Sequence, residues 1–222
     1  MMVTVQEREA TMIIGPAYSR EGRWESAVSI TSNALWVVRG HASLVLCFLL
    51  YLFWWWVFFS PRIGALSSGL RTAGILSIIG AFVFGLAGLV ICISALFAIP
   101  SDGCLIRPWQ VGVFGAVAYG VLLYVTATIF KRQVTSELLI EVVWFTLELA
   151  VIDELAGAGV LKIGASIALA VLLCALFVLG LICYLKFYQL EGSAAFVCGA
   201  IPLVCAAVHG LVMALAITMA LG

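Results

Sequence analysis

The chain has 222 residues, 65% of them hydrophobic and 10% charged, with a mean hydropathy of +1.23. Soluble domains hold about 45–50% apolar and about 25% charged residues, so a water-soluble globular fold is excluded and a polytopic transmembrane helical bundle, all-α, is expected. Eleven Lys and Arg balance eleven Asp and Glu, which removes the basic surface that nucleic-acid binding requires.

Residues 1–33 read as a polar N-terminal tail. Glu7, Arg8, Glu9, Arg20, Glu21, Arg23 and Glu25 interrupt apolar groups too short to span, leaving room for one interfacial helix and no cleavable signal peptide. The transmembrane bundle occupies 34–222. Its first span is expected over 42–59, where Trp54, Trp55 and Trp56 before Pro61 and Arg62 form an aromatic belt at the interface. Arg39 and His41 precede this span and are expected to snorkel at its near end.

A second span covers 70–99 and stops at the turn Ile99, Pro100, Ser101, Asp102, Gly103. Ala81, Gly85 and Gly88 give it a small-residue face for close helix packing. The third, 109–130, repeats that spacing at Ala116 and Gly120, and lies between Arg107 and the pair Lys131 and Arg132. The fifth covers 163–184. In the sixth, 194–221, Pro202 predicts a kink, and Ala206, Gly210 and Ala214 recur at four-residue steps that suit intramolecular packing or self-association. Lys and Arg divide evenly between the two sides of such a bundle, so the positive-inside rule sets no orientation.

The fourth segment, 135–160, is chemically unusual because it places five carboxylates among apolar residues. At about 100° per residue, Glu137, Glu141 and Glu148 share one stripe with Trp144 and Leu155, while Asp153 lies opposite and Glu154 to the side. An acid at mid-bilayer costs about 2.5–3.5 kcal/mol, so the stripe should face the bundle interior, a wet cavity or the headgroups. Glu137 and Glu141 sit near the helix start, where the dipole favours negative charge; Glu148 lies deeper. The chain has six spans if this segment crosses and five if it lies at the interface.

The ion-responsive candidates are Glu148, Asp153, Glu154 and His209, with Lys162 as a further partner. Asp153 and Glu154 also suit headgroup-level charges. His41 and His209 are the two histidines; His209 lies mid-span, whereas His41, read at a span end, does not match it in depth. Nucleophile elbow, phosphate-binding glycine loop and HExxH are absent from the sequence, so no enzyme activity, metal or cofactor is expected. The seven cysteines include no CxxC pair and lie mostly in apolar runs, which suits free thiols.

Ser136, Glu141, Trp144 and the run 155–158 resemble the penultimate helix of fungal tetraspan membrane proteins akin to MARVEL-domain proteins. That resemblance implies a four-helix unit over 70–187 and a role in membrane organisation or vesicle association. Together these readings predict a multi-pass integral membrane protein that organises the membrane or partner proteins without catalysis. Its partners would be the lipid bilayer and, through small-residue faces, other membrane proteins or further copies. The alternative is a small transporter or channel subunit that uses Glu148 for proton or cation coupling.

Overall fold

The computed structural model describes residues 4–60, 68–99, 103–131, 136–187 and 189–222, with side chains from residue 28 onward except at 136. The expected roles of Pro61 and Arg62, of Pro100 to Asp102, and of Arg132 in flanking the third span lie outside the described residues, as do the tail's side chains. Among the described residues are six helices and no strand: α1 (Thr4–Phe59), α2 (Ser68–Phe97), α3 (Pro108–Thr128), α4 (Ser136–Gly157), α5 (Ile163–Phe187) and α6 (Gly192–Leu221). Five are long and apolar enough to cross a bilayer, in α1 over Val28–Phe59. The protein is thus a multi-pass integral membrane protein by length and composition.

The polar segment before residue 34 is not set off by a break, because α1 continues through it. Within the described residues the apolar span of α1 covers Val28–Phe59 and so includes residues before the expected 42, which moves His41 from a span end to its interior. Arg39 and His41 part company there. The Arg39 guanidinium lies 4.5 Å from the ring centre of Trp36 on the outer face, reaching back toward the near end, whereas His41 is fully buried.

Helix ends meet in alternation. Asn33 Nδ2 donates to Ala98 O at 3.1 Å, joining the start of the α1 span to the end of α2. Asp153 near the end of α4 accepts from the amides of Leu105 and Ile106, just before α3. At the opposite end Trp55 packs edge-on against Phe187 of α5 and donates to Phe196 O of α6. The outer faces carry exposed large apolar side chains such as Phe82, Phe114, Val171 and Leu215, as hydrocarbon requires.

α4 is the inner helix, touching α2, α3, α5 and α6 through its backbone surroundings and α1 through Glu148. Leu138, Val142, Trp144, Leu147, Val151 and Leu155 are all buried. At 22 residues it is about 33 Å long, which matches a hydrocarbon core of about 30 Å. Its low hydropathy follows from position: a helix wrapped by apolar neighbours does not itself have to satisfy lipid.

Candidate functional site

At the centre of the bundle one carboxylate oxygen meets two imidazoles. Glu148 Oε2 lies 3.1 Å from His41 Nε2 and 3.4 Å from His209 Nδ1. All three side chains are 0–1% exposed, and they come from α4, α1 and α6. Glu148 stands about 18 Å from the start of α4 and about 14 Å from its end at 1.5 Å per residue, near the middle of the helix. Small residues sit beside both histidines: a Cβ on Gly210, next to His209, would meet Val45 Cγ2 of α1 at 3.2 Å, and one on Gly40, next to His41, would fall on Cys92 Sγ of α2. The Cys92 thiol lies 3.8 Å from His41 Nδ1.

The outer ring nitrogens fix the hydrogen pattern. His41 Nδ1 lies 2.8 Å from Val37 O, one turn back on its own helix, and His209 Nε2 lies 3.4 Å from Leu169 O of α5. A carbonyl only accepts, so each outer nitrogen carries hydrogen. The inner nitrogens and Oε2 then share whatever further protons the site holds. With none, lone pairs converge on one point around a net charge of −1. With one, the triad is neutral, and the His41–Glu148 contact is a hydrogen bond when the proton lies on His41 Nε2 or on Oε2 directed at it. With two, both imidazoles face the carboxylate as donors and the triad carries +1. In the neutral state held on the shorter contact, His209 Nδ1 has no proton to give and can only accept. Trp144 packs edge-on against His209 at 5.8 Å between ring centres.

Toward the end where α4 begins, the same stripe lines a cavity of about 210 Å³. Glu137 accepts from the Tyr51 hydroxyl at 3.2 Å. Glu141 is 5% exposed, lines the cavity, and neither carboxylate oxygen has a hydrogen-bond partner. Gly180 makes room for it, since a Cβ there would fall on Glu141 Oε1. Trp144 forms the wall between this chamber and the triad, being both cavity lining and His209 neighbour.

The expected grouping of Glu148 with Asp153 and Glu154 is divided in space. Asp153 accepts the amides of Leu105 and Ile106 at 3.2 and 2.9 Å, and so ties down the loop before α3. Glu154 is buried and takes the Cys104 thiol at 2.9 Å. The small-residue candidates lie where helices touch. Ala81 is buried; a Cβ on Gly85 would meet Cys47 Sγ at 2.9 Å, and one on Gly88 would meet Leu44 Cγ at 2.8 Å, both on α1. Ala206 and Gly210 are buried, Gly210 against Val45, and Ala214 is half-buried. The seven cysteines are all thiols, none in a disulfide.

A span begun at residue 42 hides His41; helical spacing could have revealed it, since Val37, Leu44 and Phe48 lie on one buried face with it. The helix dipole accounts for Glu141 locally, and nothing in the neighbouring residues signals that its carboxylate is enclosed. Among the described residues no group of three His, Cys, Asp or Glu side chains is disposed to hold a metal ion. No family model, curated protein or solved structure matches the chain.

Proposed function

We propose that this is a non-enzymatic, proton-coupled membrane carrier or channel subunit in which His41, Glu148 and His209 hold an exchangeable proton at mid-depth. The observation that carries this reading is a single carboxylate oxygen between two imidazoles whose outer nitrogens are already engaged with carbonyls. Intramembrane ionisable groups are expensive and are found where protons or ions pass. Each change in the triad's proton count alters the charge enclosed by α1, α4 and α6, and so the force with which they are held together. The resemblance-based unit over 70–187 would leave out α1 and α6, which supply both histidines.

Purified protein in liposomes carrying a pH-sensitive dye tests this. Proton movement down an imposed gradient is expected, and Glu148→Gln is expected to abolish it. Unchanged movement in that variant would remove the triad from the mechanism.

A second reading, organisation of partner membrane proteins, is favoured by α3. Its Gly112, Ala116 and Gly120 are exposed at four-residue steps, and a Cβ on either glycine would meet nothing within 4 Å. Gly112 and Ala116 line an apolar groove of about 520 Å³ between α2 and α3, suited to close approach of another helix. Ala116→Leu should then disrupt an assembly seen by single-molecule photobleaching; a chain that is monomeric with or without it counts against this reading.

A further inference from the structure

The chamber beside the triad has a lining that selects its occupant. Its polar groups include the Glu137 and Glu141 carboxylates, and among the described residues no Lys, Arg or His lines it. Glu141 is all but closed off from the outside, lines the chamber, and has two buried oxygens without hydrogen-bond partners. An uncompensated carboxylate in such surroundings is costly, and a bound cation would offset that cost. The remaining wall is largely aromatic, with Tyr51, Trp144, Tyr184 and Phe187. Hard inorganic cations take shells of about six oxygens, which this wall does not supply. Aromatic faces instead attract soft, weakly hydrated organic cations. The volume, about 210 Å³, equals about seven waters at roughly 30 Å³ each, the bulk of a small amine rather than a drug-sized ligand. Phe59 and Phe187, the last residues of α1 and α5, and Glu137, in the first turn of α4, place the chamber at one end of the bundle.

We propose that the chamber between Glu141 and the rings of Tyr51, Trp144 and Tyr184 binds a small alkylammonium ion, either a free amine or the quaternary ammonium of a lipid headgroup. This deepens the proton-coupling reading, on which it rests, by naming the class of solute that would be exchanged for a proton.

The test is equilibrium binding, which does not involve proton transfer. Isothermal titration calorimetry on the full chain in maltoside micelles compares choline with its neutral carbon isostere, 3,3-dimethyl-1-butanol. Choline is expected to bind saturably, roughly tenfold or more tightly than the isostere, as a charge and ring contact of about 1.4 kcal/mol or more requires. Glu141→Gln is expected to weaken choline by a similar factor. Equal binding of the isostere, no choline binding, or undiminished binding by a folded Glu141→Gln would each overturn the proposal. The isostere comparison uses the natural chain, so it decides the matter even if the variant fails to fold. Glycerophosphocholine distinguishes the sources: binding as tight as choline assigns the site to a headgroup, and its rejection assigns it to a free amine. Choline binding without liposomal proton movement would leave this site standing and overturn the proton reading; the reverse result would do the opposite.

Discussion

Replacing Glu148 by Gln and by Ala separates the triad's geometry from its charge. The Gln amide nitrogen has two hydrogens, and in the place of Oε2 it would aim one at His41 Nε2 and one at His209 Nδ1, 3.1 and 3.4 Å away. Both histidines can then stay neutral while keeping their outer N–H groups on Val37 O and Leu169 O. Glu148→Gln should therefore change stability by no more than about 1 kcal/mol, the net value of one hydrogen bond, while removing the exchangeable proton. Glu148→Ala leaves two buried imidazoles facing a void. At about 1–3 kcal/mol for each unsatisfied group, and with the roughly 3–5 kcal/mol typical of breaking a buried pair, a loss of about 4 kcal/mol is expected. For a chain of this size that is on the order of 10 °C in Tm. Thermal unfolding followed by size-exclusion chromatography in detergent measures both variants. If Glu148→Gln melts as low as Glu148→Ala, the ionised carboxylate itself holds the bundle together and the hydrogen pattern assigned to the triad is wrong.

The close approach of α1 to α2 predicts a contrast between two glycines. Gly40→Ala places a Cβ on Cys92 Sγ and 3.2 Å from Cys92 N and Gly88 O, an overpacking expected to cost about 1–3 kcal/mol, whereas Gly112→Ala meets nothing within 4 Å and should stabilise by about 0.5–1 kcal/mol through helix propensity; the difference in Tm between the two variants reports it. Asp153→Ala removes the acceptor for two loop amides and, with that loop partly solvated, should cost roughly 1–2 kcal/mol and speed hydrogen exchange at Leu105 and Ile106. Pro202 Cα lies 3.5 Å from the Cβ position of Gly180, whose missing side chain admits Glu141; Gly180→Val should thus displace Glu141 and close the chamber, read as loss of choline binding with the proton response of the triad retained.

Hydropathy by itself determined that the chain is a multi-pass membrane protein by composition and which stretches are apolar helices, though not where the first of them begins, because each residue's transfer cost into hydrocarbon is a local property that adds along a window. Helical periodicity also determined that Glu141, Trp144, Glu148 and Leu155 share a side, since the angle between residues on one helix needs no neighbour. Only the tertiary structure decided what that side meets. His41 and Glu148 are 107 positions apart, and only the packing of α1 and α6 around α4 brings both histidines to one carboxylate oxygen. The same holds for Glu154, whose place near a helix end suits the headgroups but which packing encloses beside Cys104. Periodicity gives a side chain's direction, but the partner waiting there is set by how six helices share one interior.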